Sequence, residues 1–313
     1  MITVNILTKE LLNKLEASVK RHQGEAILLS GGLDTSVLAF LMKNLKPVAI
    51  TAIFEQNPGP DLYYSKRVTE FLGFDHKIKI FKLDEALEAV RNVIHVLRTF
   101  DPMEIRNSIT IYIALSYAKQ LGLKSIVTGD GGDELFAGYS YMYKMKPQEL
   151  EKYIKELSER WFFSAVPLGE SLGLKIEQPY IDREFVDFAL SIPPEFKVHE
   201  ERNSIYGKWI VRKAIEGLLP DEIVWRTKDP IEIGSGSTTL TQIISKMINK
   251  EEFEKLGKEI ILRDYEQAYY YKLFKEIIGN IPKPKSNEKR CSFCGAGVPA
   301  DSKYCRTCGA YPV

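Results

Sequence analysis

Ser30–Ser36 reads SGGLDTS and Val127–Tyr139 reads VTGDGGDELFAGY, and these two stretches hold most of the residues whose types and spacing could do chemistry. In the first, the consecutive Gly31 and Gly32 let the backbone turn sharply and approach a ligand closely, while a helix starting just after them would aim unsatisfied N–H groups at an anion. A pyrophosphate suits that arrangement. The spacing is neither GxGxxG nor GxxxxGK[ST], so neither a Rossmann dinucleotide site nor a Walker loop is expected. Asp34 beside a phosphate would be repulsive by itself, and a Mg²⁺ shared by carboxylate and phosphate oxygens resolves the conflict. An ordinary strand-to-helix turn is the plainer alternative. In the second stretch Asp130, Asp133 and Glu134 crowd within five residues. That crowding calls for a shared cation or a basic partner, with one carboxyl perturbed enough for base work; a solvated acidic loop is the competing explanation.

All four cysteines fall at 291, 294, 305 and 308, so a cysteine nucleophile, a core disulfide or an internal redox pair is excluded from everything before them. The segment CSFCGAGVPADSKYCRTCGA has two CxxC pairs ten residues apart, each followed by a glycine that permits a tight turn. It resembles a zinc ribbon. Cys291, Cys294, Cys305 and Cys308 offer four thiolates to a tetrahedral Zn²⁺, and metal binding would supply the stability that so short a segment cannot draw from apolar burial. Lys283, Lys285, Lys289 and Arg290 just before it could touch RNA or an acidic partner, or simply form a solvated basic linker. The four histidines are scattered and match no metal or triad spacing.

The elements that must position these loops follow from the pattern of apolar residues. With 313 residues, 44% hydrophobic and 27% charged, the chain can build a sizeable core. Its formal net charge of +1 announces neither nucleic acid nor an anionic membrane. Leu11, Leu12, Leu15 and Val19 share one face of an opening helix. Strands are expected at the apolar runs Ala26–Leu29 and Val48–Phe54 and at His76–Phe81 and Ser125–Thr128, with helices near Asp61–Leu72, Asp84–Leu97 and Ser108–Leu121. This alternation predicts an α/β fold, a parallel sheet flanked by helices, with ligand sites outside the carboxyl ends of the strands. Beyond Tyr139 the strand signal disappears and a helical half is expected. The expected domains are residues 1–278, a Pro- and Lys-containing linker at 279–290, and the small zinc ribbon at 291–313. No signal peptide and no membrane-spanning run is read, so a cytoplasmic protein is expected.

Together the two glycine-rich loops resemble the synthetase domain of the asparagine synthetase family, within the ATP pyrophosphatases that carry an SGGxDS loop. The similarity extends to FEQNPGPDLYYSKRVTEFLG (Phe54–Gly73), TFDPMEIRNSITIY (Thr99–Tyr112), EQPYIDREFVDFAL (Glu177–Leu190) and LPDEIVWRTKDPIEIGSG (Leu219–Gly236). The resemblance implies an adenine nucleotide alpha hydrolase-like fold and AMP-forming chemistry, in which a carboxylate attacks the ATP α-phosphorus, pyrophosphate leaves, and an amine takes the acyl group. Carried over by position, Ser30, Gly31, Gly32, Thr35 and Ser36 would hold pyrophosphate, Asp34 and Asp133 would bind Mg²⁺, and Leu29, Phe54 and Gly129 would line the adenosine site. Lys228 would stabilise charge on the phosphates and the tetrahedral intermediate, and Asp130 stands where the asparagine-forming enzymes have a glutamate that helps deprotonate the amine.

The departures set further expectations. Those enzymes begin with a glutaminase domain whose cysteine follows the initiator methionine, whereas residue 2 here is Ile and the SGG strand begins by residue 26. Nitrogen is therefore expected from free ammonia, a separate glutaminase protein, or another amine. Met103 and Glu104 stand where the asparagine enzymes have threonines, so the carboxylate need not be aspartate. Arg106 is retained, to pair either with a substrate oxygen or with a structural carboxylate. An RNA-modifying pyrophosphatase, or an ATP-binding scaffold that presents the ribbon, are the alternative functions. The thiolating members of the first class generally need a core thiol, which this chain lacks.

Overall fold

The computed structural model describes the backbone over residues 2–313 and the side chains over residues 4–313. Five parallel strands form the central sheet: β1 (Ala26–Leu28), β2 (Val48–Phe54), β3 (His76–Phe81), β4 (Ser125–Val127) and β5 (Lys175–Glu177), in the order β3-β2-β1-β4-β5. β2, VAITAIF, is a near-continuous apolar run because helices cover both of its faces. The chain winds outward from β1 to β3 and then returns to lay β4 on the other side of β1. The carboxyl ends of β1 and β4 therefore flank the topological switch point, where open α/β sheets place ligands.

Around the sheet run α1 (Ile2–Arg21), α2 (Leu33–Leu41), α3 (Asp61–Leu72), α4 (Leu83–Leu97), α5 (Pro102–Gln120) and the one-turn α6 (Gly132–Leu135). α1 buries Leu11, Leu15 and Val19, the stripe read from its sequence. α5 begins six residues before the expected Ser108. Asp101 caps it by accepting the N–H of Met103 at 3.1 Å, Pro102 occupies the first turn, and Ile105 is already fully buried.

The helical half comprises α7 (Pro147–Ser158), α8 (Ala165–Ser171), α9 (Arg183–Ser191), α10 (Pro194–Lys197), α11 (Trp209–Ile215), α12 (Asp221–Val224), α13 (Ile231–Gly234), α14 (Leu240–Ser245), α15 (Lys250–Gly257) and α16 (Tyr265–Ile277). The expectation that strands end at Tyr139 is corrected here. β5 adds the fifth strand of the sheet, and β6 (His199–Glu201) pairs with β7 (Ser204–Tyr206). β5 is a three-residue edge strand, Lys-Ile-Glu, with a single apolar residue, so it carries no run to detect.

Among the described residues two large apolar cores result, with a smaller cluster of Ala137, Met142, Leu150 and Ile154 beside them. One packs α4, α5 and α14–α16 on the sheet through Phe54, Phe81, Phe100, Ile105, Tyr270 and Phe274. The other packs α1, α2, α9, α11 and α12 through Leu15, Leu29, Val37, Tyr180, Ile210 and Val224. The four cysteines belong to the first core, between 0% and 7% exposed. They sit beside the hairpin of β8 (Glu288–Arg290) and β9 (Gly297–Pro299), in two equivalent knuckles closed by Gly295 N–H to Cys291 O at 2.9 Å and Gly309 N–H to Cys305 O at 2.7 Å. Among the described residues no helix is long and apolar enough to cross a membrane.

Candidate active site

The loop after β1 and the loop after β4 meet over the switch point, and glycine is what lets them meet. Gly31 has φ of +69° and lies against the backbone of Tyr64 and Ser65, where a Cβ would collide. A Cβ on Gly132 would fall 2.6 Å from the Asp34 carboxyl carbon, and one on Gly129 would fall 2.9 Å from the Thr35 methyl. The Ser30 hydroxyl accepts the Gly32 N–H at 3.1 Å and lies 3.3 Å from the Thr35 hydroxyl, so the SGG turn is braced from within. Gly32 is the N-cap of α2, whose first N–H groups open toward the space between the loops. Arg226 locks this turn from outside. Its guanidinium donates to Ser30 O at 3.1 Å and Asp61 Oδ1 at 2.7 Å and stacks 4.1 Å above the Tyr64 ring.

Asp34 and Asp133 face one another across a single ammonium. Lys208 Nζ donates to Asp34 Oδ2 and lies 2.6 Å from Asp133 Oδ1, and Lys228 Nζ lies 2.8 Å from Asp133 Oδ2. The Lys208 side chain is 4% exposed and both carboxylates are 13% exposed. Burial pushes the Asp133 carboxyl up, but Lys208 and Lys228 more than offset this and hold it below the usual carboxylate range. For Asp34 burial prevails over Lys208, aided by the neighbouring Asp133 charge, and its pKa rises. Lys228 stays protonated, since Asp133 and Asp34 outweigh the burial that would lower its pKa. Lys208 has φ of +55°, a left-handed conformation uncommon outside glycine and held here by its N–H to Phe136 O at 2.8 Å.

Asp130 stands one residue beyond Gly129. Its Oδ2 accepts the Thr128 hydroxyl at 2.7 Å and Gln178 Nε2 at 2.8 Å, and its Oδ1 takes no hydrogen bond from the described residues. Burial raises its pKa against these two donors. Glu134 turns away from this group and accepts the Tyr139 hydroxyl at 2.6 Å.

The structure thus brings together Ser30, Gly31, Gly32, Asp34, Thr35, Gly129, Asp130, Asp133 and Lys228. Ser36, wholly buried one turn into α2, has a hydroxyl without a partner among the described residues. Leu29 and Phe54, 1% and 0% exposed, have their side chains in the two apolar cores and form the floor beneath the loops. Arg106 is occupied by a structural carboxylate: Nε donates to Glu266 Oε1 at 3.0 Å and Nη2 to Oε2, and Glu266 is 1% exposed. Lys208, Arg226, Asp61 and Gln178 were not singled out from the sequence. Asp61, Gln178 and Arg226 lie within three of the segments that carry the family resemblance, where no role was read for them, and Lys208 lies outside all of them.

The donor sets fit the groups expected of them. Asp34 and Asp133 offer hard carboxylate oxygens to one shared cation position, the chemistry Mg²⁺ requires, beside an N–H-lined turn suited to phosphate. The cysteine sulfurs lie 3.8 Å apart in the pairs Cys291–Cys308 and Cys294–Cys305, and all four lie within 4.8 Å of one another. A tetrahedron with Zn–S arms of about 2.3 Å has edges of about 3.8 Å. Zn²⁺ therefore fits.

The Asparagine synthase family pattern matches residues 10–167 and 169–273. Asparagine synthetase B (glutamine-hydrolyzing) of Escherichia coli K12 is 29% identical over 311 residues, covering 89% of this chain and 55% of that one. A probable asparagine synthetase (glutamine-hydrolyzing) of Schizosaccharomyces pombe is 32% identical over 311 residues, covering 86% and 56%. The chain spans about half the length of the curated relatives it matches. Among solved structures, NMN synthetase from Francisella tularensis aligns at 13% identity with a TM-score of 0.39, covering 90% of this chain and 98% of that one, a likeness too slight to carry an argument. With the matched pattern running through both loops, the Lys228 segment and the sheet between them, the chain belongs to the asparagine synthase family.

Proposed function

We propose that this chain is an AMP-forming, ATP-dependent amide synthetase that activates a small carboxylate and transfers its acyl group to ammonia or another amine. The observation that carries the reading is the pair Asp34 and Asp133 sharing one cation position directly beside the SGG turn, with Lys228 on the second carboxylate. In the proposed reaction a carboxylate oxygen bonds to the ATP α-phosphorus as the α–β bridge bond breaks and pyrophosphate leaves. The amine nitrogen then bonds to the acyl carbon as AMP departs, and the amine loses a proton.

Each residue has a task set by its surroundings. Ser30, Gly32, Thr35 and the first turn of α2 hold the pyrophosphate oxygens through hydroxyl and N–H groups. Asp34 and Asp133 would hold Mg²⁺, which when bound neutralises phosphate charge. Lys208 and Lys228 supply fixed positive charge where negative charge gathers on the leaving pyrophosphate, and Lys228 also faces the acyl-transfer step. Asp130, with Oδ1 free and its basicity raised by burial, accepts the amine proton. Met103 and Glu104 on the first turn of α5 point to a carboxylate other than aspartate. The Arg106–Glu266 pair favours the same view, because Nε and Nη2, the edge suited to a bidentate carboxylate, are already taken by Glu266. A separate glutaminase protein or free ammonia would supply the nitrogen.

The test is product identity. Given ATP, Mg²⁺, ammonium and a pool of carboxylates, the protein should release AMP and pyrophosphate; ADP and phosphate instead would exclude the reading.

A further inference from the structure

The cysteine ribbon is locked onto the residues that lead into α5. The Thr99 hydroxyl donates to Arg306 O at 2.7 Å, the Phe100 N–H donates to Thr307 O at 2.8 Å, and the Tyr304 hydroxyl donates to Asp101 Oδ2. Asp101 is 2% exposed, and its other oxygen caps α5 through the Met103 N–H. One buried carboxylate therefore receives the ribbon and starts the helix. From behind, Arg263 Nη2 and Gln267 Nε2 each donate to Cys308 O at 2.8 Å, so the second knuckle is held between α5 and α16. A Cβ on Gly309 would overlap the Asp101 carboxylate, which leaves no room for a looser fit.

The position of that first turn bears on chemistry. Thr110, farther along α5, donates to the Ser235 hydroxyl at 3.1 Å, and Ser235 O accepts the Phe54 N–H at the carboxyl end of β2. Thr110 is thus level with the edge of the sheet. At about 1.5 Å per residue, residues 102–106 stand about 6–12 Å beyond it, on the side of the SGG and Asp130 loops. Met103 and Glu104, the positions that differ from the asparagine-forming enzymes, occupy this turn. Glu104 accepts the Ser108 hydroxyl at 3.2 Å, while Arg306 of the ribbon lies 4.2 Å over the Phe162 ring.

We propose that the ribbon is a working part of the carboxylate-activating site, and that Tyr304 is a positioning residue that fixes the first turn of α5 through Asp101. The proposal rests on the amide-synthetase reading only in naming the substrate that meets this turn. The test uses full-length Tyr304→Phe, which keeps every cysteine, with Tyr311→Phe, an exposed tyrosine, as control.

Without any ligand, amide hydrogen exchange over residues 102–108 should be at least tenfold faster in Tyr304→Phe, about 1.4 kcal/mol of local opening, with β1, β2, α2 and the metal content per chain unchanged. Unchanged protection over 102–108, or faster exchange spread evenly along the chain, overturns the proposal. With the carboxylate that best supports ATP–pyrophosphate exchange, its KM should rise at least fivefold while the KM for ATP stays fixed. A fall in kcat with both KM values unchanged overturns the positioning role. If no carboxylate supports exchange, the synthetase reading fails on its own account, and the hydrogen-exchange result still decides whether the ribbon fixes α5.

Discussion

Lys208→Met would leave two buried carboxylates facing one another without the ammonium between them, with no large change in volume. Removing one partner of a buried ion pair costs about 3–5 kcal/mol. The low end applies here, because Lys228 remains 2.8 Å from Asp133 and because Asp34, its pKa already raised by burial, can take up a proton. At about 2 °C per kcal/mol, the low end for a long chain, a loss of about 3 kcal/mol lowers Tm by about 6 °C. The assay is thermal unfolding of both proteins at neutral pH, without divalent ions and again with saturating MgCl₂. Without nucleotide, magnesium should recover at least half of the loss in the variant and add little to the wild type, where the Lys208 ammonium already sits between the carboxylates and Mg²⁺ would join them only together with the ATP phosphates. A Tm within about 1 °C of wild type without divalent ions, or an equal gain from Mg²⁺ in both, would refute the shared-cation reasoning.

Asp34→Ala and Asp133→Ala should each lower carboxylate-dependent ATP–pyrophosphate exchange by at least about a hundredfold, measured with labelled pyrophosphate, since each removes a charged ligand of the phosphate site. Asp130→Asn should spare that exchange and impair amide formation; equal loss in both assays would remove Asp130 from the base role. His76, with Nε2 2.8 Å from the Thr51 hydroxyl, has its pKa lowered by burial to about 4. The unfolded chain therefore binds this proton first as pH falls, so stability is full above the ordinary value near 6.5 and declines between about 6.5 and about 4. In His76→Gln that pH-dependent part of the denaturant midpoint should vanish, and a midpoint tracking pH as in wild type would contradict it. The purified protein should keep no RNA through a salt wash. RNA that stays bound, and is released by Lys283→Ala with Lys285→Ala, would favour the RNA-modifying alternative.

What the sequence disclosed depended on whether the signal was local. β2 and β3 are found within their expected bounds, β2 as an apolar run that ends at Glu55–Gln56–Asn57–Pro58 and β3 as Ile78, Ile80 and Phe81 interleaved with lysines. β5 escaped because an edge strand of three residues needs only one apolar side chain. The early start of α5 had a signal in Asp101–Pro102, a cap followed by proline, but the apolar periodicity from Ser108 onward masked it. The site divides in the same way. Asp34, Asp130 and Asp133 were legible because their loops are contiguous glycine-rich motifs. Lys208 was not, since it reaches the carboxylates from the start of α11, where a lone lysine after Gly207 looks like any solvated one. Arg106 offered two roles, and only the approach of Glu266 from α16 decides between them. The cysteine spacing announced a metal, yet the docking of the ribbon runs largely through backbone carbonyls at 306–309, which no sequence pattern records.

The central claim, that the two loops and Lys228 together activate a carboxylate with ATP, is tested most directly by ATP–pyrophosphate exchange scanned across carboxylates with Mg²⁺. The account predicts exchange that depends on one class of carboxylate, needs no amine, and is lost in Asp133→Ala. Measurable ATP binding with no exchange for any carboxylate would contradict it and leave a nucleotide-binding scaffold in its place.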